Sequence, residues 1–535
     1  MLSADRAEQF TPEERERLAP YFTNTDRHVF ALTNLPETVK GALFARYSRS
    51  AKSLRRLFLD EFSDTMTASA GDTPSVGVER AEKLYARVFN EYGDDSVAQL
   101  GGAHIACEYV SNILTKVLEW GRLMAYLEQS TRYVPYTDKL HGQWRYHVPS
   151  ELEGDLRDRY TRTMDELFEL YAKWIPAMQD HFARRYPKAP GDSDGVHRSA
   201  IRAKALDTLR GMLPAATQSN VGIYGTGQSY EALLLRMRAH PLAEVRECGD
   251  AMLVELRKVI PAFLTRVDLP DRGGRWSSYF ATNRDALSVL ASELVGELSP
   301  SRADEVSLTG FDPDGELKVV AAALYSATAL PDQQLIDLAR RMTVDDRARV
   351  LRTYVGERGN RRHRPGRAFE RTTYRFDVLT DYGAFRDLQR HRLLTLEWQP
   401  LSTGHGYTEP EAIRESGAGE DWDRAMNASA ELHEAIKSAG LGTAAQYAVV
   451  MAYRVRFYME MNAREAMHLI ELRTAPQGHP AYRRVCQQMH RLIADSAGHH
   501  AIADAMKFAD HTVVELERLG SERAIERKRG APDPV

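Results

Sequence analysis

Two long stretches of this chain repeat one another, and an internal repeat constrains a fold more strongly than composition does. Residues 231–252 read EALLLRMRAHPLAEVRECGDAM, and residues 465–489 read EAMHLIELRTAPQGHPAYRRVCQQM. In both, an amphipathic helix ends at an arginine and a short His-Pro loop follows. Pro241 and Pro480 stop the first helix and precede a second one. The pattern predicts the same pair of helices at two places in the chain.

A second repeat has the plan of a strand followed by a helix. It covers residues 104–122 and residues 374–392. Between the two sets of repeats, near residues 300–320, the stretches LSPSRAD and TGFDPDGEL are typical of loops. We therefore predict two tandem copies of one domain, residues 1–310 and 311–535.

The most concentrated group of hydrogen-bond donors in these repeats is Arg390-His391-Arg392. Residues 374–378 alternate apolar and polar side chains as a half-buried strand does, and helical spacing runs from residue 384 to residue 394. Two guanidinium groups around an imidazole suit a phosphate or the polar edge of a flavin. Spacing alone leaves open a solvated basic helix end that satisfies the last carbonyls.

The first copy carries a complementary motif in residues 119–138, EWGRLMAYLEQSTRYVPYTD. Flavin-dependent thymidylate synthases have a signature that reads Arg-His-Arg, two residues, Ser, one residue, Asn-Glu, one residue, Ser, one residue, Arg-Tyr. The first copy keeps its later part, in Arg122, Glu128, Ser130, Arg132 and Tyr133, while Trp120 and Gly121 replace the first Arg and the His. The second copy keeps Arg390, His391 and Arg392, has Thr395 in place of the first Ser, and then departs.

The chain thus resembles a flavin-dependent thymidylate synthase that has been duplicated and fused, with a different half of the signature kept in each copy. The resemblance implies a helix-rich α+β fold, with a small, mostly antiparallel sheet in each copy and the two copies paired as a pseudo-dimer. It also implies an enzyme, a methyltransferase that converts dUMP to dTMP with methylenetetrahydrofolate and NADPH through FAD. A single hybrid site would combine residues of both copies, and the symmetry-related site would be inactive.

The resemblance also implies roles for individual side chains. Arg390, His391, Arg392 and Arg473 would bind the flavin, and Glu128, Ser130, Arg132, Tyr133 and Arg456 would bind the nucleotide. Arg483 would polarise the pyrimidine as the catalytic arginine, with Arg484 as the alternative if the loop before it carries one insertion. Without the resemblance, the arginines at 456, 473 and 483 would be interpreted as charges on a helix surface.

Composition limits the partners and the location that we expect for the protein. Lys and Arg number 71 against 75 Asp and Glu, a net charge of -4, so neither specific nucleic-acid nor membrane partners are expected. There is no apolar run long enough to cross a membrane and no signal peptide pattern at the start, and we expect a cytoplasmic protein.

The three cysteines are far apart and suggest buried thiols, and the histidines around His490 and 498–504 do not form a convincing ligand set, so no metal is expected. A homo-oligomer, a dimer of fused chains, is expected. Two alternatives remain open: a flavin or nucleotide binder that acts on a different pyrimidine, and a non-catalytic relic of the same fold.

Overall fold

The structure, a computed structural model, describes most of the chain: residues 8–27, 29–47, 50, 52–63, 99–299 and 304–530. The chain divides into two compact units that are not contiguous in sequence. The first comprises Met1–Glu108, Leu123–Glu128 and Asn220–Glu297, and the second comprises Tyr109–Arg122, Gln129–Ser219 and Leu298–Val535. These units do not follow chain order, so the boundary at residue 310 stays a prediction about the two copies.

Seven strands lie in the described part of the chain. They are β1 (Gly102–Ser111), β2 (Met124–Glu128), β3 (Gln218–Thr226), β4 (Val306–Phe311), β5 (Thr373–Asp381), β6 (Thr395–Trp398) and β7 (Arg454–Asn462). They form one sheet of order β1-β3-β2 and another of order β4-β5-β7-β6. The pairs β2–β3, β4–β5, β5–β7 and β6–β7 are all antiparallel.

In these same described ranges the helices outnumber the strands. Those before β4 are α1 (Pro12–Leu18), α2 (Glu37–Tyr47), α3 (Leu54–Glu61), α4 (Asn112–Leu118), α5 (Gly154–Arg185), α6 (Asp194–Leu209), α7 (Gly227–Arg238), α8 (Ala243–Leu256) and α9 (Gly273–Val295). Those after it are α10 (Gly315–Tyr325), α11 (Asp332–Arg341), α12 (Val344–Val355), α13 (Tyr382–Leu388), α14 (Glu411–Glu415), α15 (Gly419–Ser438), α16 (Gly442–Ala445), α17 (Ala463–Arg473), α18 (Pro480–Asp495), α19 (His500–Ala505) and α20 (Leu519–Gly530). The prediction of a helix-rich α+β fold is confirmed.

One local arrangement, a strand that leads directly into a capped helix, occurs four times and explains the internal repeat. Strands β1, β3, β5 and β7 each run directly into a helix, and the last strand residue caps that helix with its side-chain oxygen. The four caps are Ser111, Thr226, Asp381 and Asn462, which accept from the backbone N–H groups of Leu114, Ser229, Ala384 and Glu465. The strand-then-helix plan and the paired helices α7–α8 and α17–α18 are therefore confirmed.

The helix after β5 is shorter than its spacing predicts, since it ends at Leu388 instead of continuing to residue 394. The N–H of Gln389 closes the last turn on Phe385, while its side-chain amide donates to the backbone carbonyl of Lys116 at 2.7 Å. This tertiary hydrogen bond fixes the side chain of Gln389 at the end of the helix. Residues 390–392 consequently follow the helix end instead of forming it.

None of the helices in the described part of the chain is both long and apolar enough to span a membrane. The prediction of a cytoplasmic location is not tested by this observation.

Candidate functional site

His391, buried just beyond α13, uses both ring nitrogens within the protein. The Nε–H of Arg473 donates to its Nε2 at 2.9 Å, so Nε2 carries no proton. Its Nδ1 lies 3.2 Å from Oε1 of Glu465, so Nδ1 carries the proton and donates it. Burial lowers the pKa of His391 to about 4, which keeps the ring neutral. His391 therefore holds Arg473 in place and has no nitrogen left to donate to a ligand.

Glu465, on the first turn of α17, lies between two histidines. Besides His391, the Nδ1 of His468 lies 3.2 Å from its Oε2. Burial alone would raise the pKa of Glu465, but the hydrogen bonds with His391 and His468 lower it to about 2. The carboxylate is thus charged at neutral pH.

The ligand atoms of His391, Glu465 and His468 all lie within 4.8 Å of one another, a set of residue types that can hold a metal ion. The bond from Arg473 opposes this use because it requires Nδ1 of His391 to keep its proton, which blocks the lone pair that a metal needs. A neighbouring guanidinium also repels a cation. The cluster is better explained as a hydrogen-bonded support for Arg473, and the absence of a metal stays a prediction.

The neutrality of buried His391 predicts a pH dependence of stability. Its pKa is near 6.5 in an unfolded chain and about 4 in the folded protein, so unfolding takes up a proton between these values. The free energy of unfolding should fall as the pH drops from 6.5 to 4, by roughly 3 kcal/mol from this group. In urea unfolding of His391→Asn, the free energy of unfolding should fall less over that pH range than it does in the wild type. The exposed His500→Gln serves as control and should keep the wild-type slope; equal slopes for all three proteins would refute the assignment.

Arg132, contributed by the first copy, makes a two-pronged ion pair with Asp207 of α6. Its Nε and Nη2 lie 2.8 Å and 2.6 Å from the two carboxylate oxygens. Its Nη1 donates to the carbonyl of Gln477 at 3.3 Å and to the hydroxyl of Tyr482 at 3.4 Å. Burial alone would lower the pKa of Arg132, but Asp207 more than offsets this and raises it above its ordinary value. The first copy thus places a permanently charged group beside α17 and α18 of the second.

Asp387, three residues before the Arg-His-Arg cluster, joins the two half-motifs. Burial alone would raise the pKa of its carboxyl group, yet four surrounding arginines hold that pKa far below its usual range. In order of effect they are Arg390, Arg473, Arg210 and Arg132. The Nη1 atoms of Arg210 and Arg473 lie 3.7 Å and 3.8 Å from its oxygens. Arginines from both copies therefore share one carboxylate, a concentration of positive charge suited to anions.

A cavity of about 500 Å³ adjoins this cluster. Asp207, Arg210, Asp381 and Gly383 are among the residues that line it. Nη2 of Arg210 and Oδ2 of Asp381 are buried and have no hydrogen-bond partner in the described part of the chain. A Cβ atom on Gly383 would lie only 3.1 to 3.2 Å from Asp381 and Arg210, so a side chain there would crowd both. A buried donor and a buried acceptor at a cavity are typical of a binding site.

Some predicted residues near this cluster have contacts that restrict their role. Ser130 closes a turn, because its carbonyl accepts from the N–H groups of Tyr133 and Val134 at 3.2 Å and 3.1 Å. Tyr133 is about half exposed, with the guanidinium carbon of Arg518 4.6 Å from its ring centre. Arg392 is exposed as well. Glu128 is buried at the end of β2, where it pairs with Val221 of β3; both residues belong to the first compact unit, whereas Ser130, Tyr133 and Arg392 belong to the second.

Arg456 is not brought together with Arg132. It lies on β7, with its Nη1 2.9 Å from the carboxylate of Asp377, and it lines a different cavity of about 400 Å³ with Arg375 and Tyr458. Its proposed contact with a nucleotide therefore belongs to another place in the fold.

The two candidates for the catalytic arginine differ in their surroundings. The buried guanidinium of Arg483 donates to the backbone carbonyls of Thr474 at 2.8 Å and Thr512 at 3.0 Å. Arg484 lines the cavity of about 500 Å³, and both oxygens of Glu305 accept from it, at 2.8 Å and 2.7 Å. Arg483 is thus engaged in holding two chain segments together.

The residues that sequence reasoning missed are mostly acids and their neighbours. They are Asp207, Arg210, Asp387, Glu465 and Tyr482. Asp387 and Tyr482 could have been suspected, because each lies within three residues of a predicted site arginine. Asp207 and Arg210 lie in a helical stretch that carries no part of the signature.

The comparison with known protein families agrees with this arrangement. The model of the thymidylate synthase complementing protein family, Thy1, matches residues 40–262 and again residues 307–497. The chain belongs to the Thy1 family. Two matches in one chain confirm the tandem duplication, and membership confirms the prediction of a methyltransferase of the thymidylate synthase type.

Known relatives cover this Thy1 chain to different extents. A "UPF0159 protein" of Chlamydia muridarum is 38% identical over 96% of this chain and 98% of its own length. A flavin-dependent thymidylate synthase of Clostridium tetani is 27% identical over 35% of this chain and 74% of its own length. A solved structure of the UMP/dUMP methylase PolB from Streptomyces cacaoi covers 39% of this chain and 99% of its own, at 20% identity and a TM-score of 0.30, which is too low to carry an argument.

The Thy1 signature positions that were lost have become packing residues. Trp120 replaces the first Arg of the signature in the first copy, and Trp398 stands in the second copy where the first has Glu128. The two indole rings lie 6.1 Å apart, edge to face, and Nε1 of Trp120 donates to the carbonyl of Leu396 at 3.2 Å. Two bulky apolar groups therefore occupy positions where the signature has charged residues.

Proposed function

We propose that the chain is a flavin-dependent thymidylate synthase that methylates dUMP to dTMP with methylenetetrahydrofolate and NADPH, through FAD. One observation carries the proposal: Arg210 of the first copy and Arg473 of the second lie 3.7 Å and 3.8 Å from the same carboxylate, Asp387, on which the charges of Arg132 and Arg390 also act. The two incomplete half-motifs thus make one hybrid site in a pseudo-dimer of residues 1–310 and 311–535. We also propose that the protein works as a homo-oligomer of fused chains.

The free edge of Arg132 suits the phosphate of dUMP. Asp207 takes Nε and one Nη2 hydrogen, which leaves the edge formed by Nη1 and Nη2 for a second two-pronged contact. The contacts of Nη1 to Gln477 and Tyr482 are long, 3.3 Å and 3.4 Å, so a charged oxygen can replace them. Asp207 then serves to orient the guanidinium. Ser130 and Tyr133 stay proposed as neighbouring substrate contacts. Glu128 and Arg456 also stay proposed as substrate contacts, without a place beside Arg132.

The residues present fit FAD through their charge. Arg390 is half-buried, Arg392 is exposed, and Arg473 is fixed by His391 and Asp387, so positive charge is placed at several depths. FAD, when bound, supplies the hydride that reduces the transferred one-carbon unit. His391 contributes by positioning Arg473. The chain's own residues bind and orient the anionic groups, and the family's chemistry needs no cysteine nucleophile.

A pair of variants distinguishes the two candidates for polarising the pyrimidine. Arg484→Ala should lower kcat with little change in Tm, because this arginine lines the cavity and is half exposed. Arg483→Ala should lower Tm by several degrees, because the buried carbonyl of Thr474 and the carbonyl of Thr512 lose their donor. The measurements are steady-state kinetics and a thermal melt of each variant. A large loss of kcat at unchanged Tm in Arg483→Ala would restore Arg483 as the catalytic arginine.

The direct test is the visible absorption spectrum of the purified protein, followed by anaerobic reduction and addition of methylenetetrahydrofolate and dUMP. Bound flavin and formation of dTMP are expected. Methylation of a nucleotide with another pyrimidine base, and no turnover of dUMP, would indicate the different-pyrimidine alternative. No flavin after reconstitution with FAD would refute the enzymatic proposal in favour of a relic.

The tryptophan pair predicts the stoichiometry of nucleotide binding. Equilibrium titration with dUMP should saturate at one nucleotide per chain, since Trp120 and Trp398 occupy the counterpart positions. Two nucleotides of equal affinity per chain would contradict the single hybrid site.

A further inference from the structure

Helix α9 is exposed along almost its whole length. It has 23 residues, of which only Gly273 is buried in the described structure, and it is about 34 Å long at 1.5 Å per residue. It is held on α7 through Ser277, whose hydroxyl donates to the carbonyl of Leu235 at 3.2 Å, and through Arg284, which donates to the carbonyl of Ala239. From Asp285 to Val295 every residue is exposed, with Leu287 at 65% and Leu294 at 72%.

The exposed apolar side chains of α9 follow a coiled-coil spacing. A stripe recurs at alternating steps of four and three residues: Trp276, Phe280, Asn283, Leu287, Leu290 and Leu294. The face held on α7, which contains Ser277 and Arg284, points about 100° away from this stripe. The stripe is therefore separate from the intramolecular contact and is left uncovered by the described part of the chain. Exposed patches of this kind mark interaction surfaces.

We propose that α9 is a self-association surface, which pairs antiparallel with α9 of a second copy of this chain. Antiparallel pairing brings Trp276 opposite Leu294, Phe280 opposite Leu290, and Asn283 opposite Leu287 of the other copy. Every apolar member of the stripe then meets an apolar partner or the single asparagine. A second copy is the occupant that supplies this complementary stripe without any further component.

Charge selects the antiparallel orientation. Arg275 and Glu293 lie 18 residues apart, about five turns, and so on the same flank of the stripe. In an antiparallel pair, Arg275 of each copy comes within reach of Glu293 of the other. In a parallel pair, Arg275 of one copy and Glu293 of the other lie about 27 Å apart along the axis at 1.5 Å per residue, so neither ion pair can form.

The surface is independent of the proposed catalysis. Helix α9 lies between the two family matches, which cover residues 40–262 and 307–497, so it belongs to the segment that joins the copies. The residues of α9 are not part of the candidate site. Self-association through α9 would therefore be unaffected if the proposed flavin chemistry were refuted.

Sedimentation velocity over a range of protein concentrations tests the pairing. Leu287→Glu with Leu290→Glu should halve the mass of the assembled species, because two like charges would be placed in the seam. Val289→Glu is the matched control: Val289 is equally exposed and adjacent, but points away from the stripe, so the wild-type mass is expected. Asn283→Leu should shift the equilibrium toward the larger species. Equal masses for the wild type and the double variant at every concentration would overturn the proposal.

Engineered cysteines test the orientation. A mixture of Phe280→Cys and Leu290→Cys proteins, oxidised with glutathione disulfide, should form a covalent heterodimer, while each variant alone should not. In the reaction the two thiols lose two hydrogens to form the disulfide, and glutathione disulfide is reduced to two glutathiones. Cross-linking of each single variant with itself would show a parallel pair and overturn the antiparallel one. Reversing Arg275→Glu or Glu293→Arg should weaken association, and the double reversal should restore it.

Discussion

Arg132→Ala should lower kcat/KM for dUMP about 10²- to 10³-fold while leaving the flavin content unchanged. The reason is geometric, because Arg132 is one of the two first-copy arginines whose charges act on Asp387, and Asp207 fixes its guanidinium from one side. Alanine removes the charged edge that faces the substrate phosphate. KM for dUMP should rise and kcat/KM should fall, both measured with the flavin-loaded protein.

The same substitution leaves Asp207 buried without its partner, so stability must be separated from binding. Arg132→Ala combined with Asp207→Asn removes the orphaned charge and should recover most of the lost Tm, but none of the lost activity. Arg162→Ala, an exposed arginine on α5, is the control and should behave as the wild type. Recovery of activity in the double variant would mean that Arg132 acts only through folding.

Glu471→Gln should lower the free energy of unfolding by about 3–5 kcal/mol, the largest stability effect that we expect from a single substitution. Arg358 and Glu471 form a two-pronged pair at 2.7 Å and 2.6 Å, with each side chain only 1% exposed. Glutamine leaves the guanidinium buried with a neutral partner. Since Glu471 lies on α17 two residues before Arg473, the change should also reduce flavin retention.

The matched control for Glu471→Gln is Glu460→Gln. Glu460 pairs with Arg375 at 2.9 Å, but both side chains are 40% or more exposed, so the cost should be much smaller than that of Glu471→Gln. Urea unfolding of both variants gives the comparison. Equal costs for the buried and the exposed pair would show that burial does not strengthen the Arg358–Glu471 pair.

Sequence reasoning located the strands and helices because their hydrophobic periods are regular, as at Tyr374, Phe376 and Val378, which are all buried on β5. It also found both half-motifs. It could not find Asp207 or Glu465, because an acid on a helix has the same local pattern whether it faces solvent or a buried arginine. Likewise, Arg358 begins the basic stretch at residues 358–375, and nothing local indicates that it is buried with Glu471.

The choice between Arg483 and Arg484 was beyond sequence for a related reason. Neighbouring positions on a helix point about 100° apart. An insertion of one residue in the alignment therefore decides between Arg483, which binds backbone carbonyls, and Arg484, which faces a cavity. Only the placement of α18 against Thr474 and Glu305 distinguishes them.

The contact between Trp120 and Trp398 bears on how such a chain can change over generations. In a symmetric oligomer of identical chains, every substitution appears at every site at once. In this fused chain a substitution appears in one copy only, so each copy can specialise while the other keeps its own contribution. The two tryptophans also make the change hard to reverse, since reopening the second site would require simultaneous substitutions in both copies.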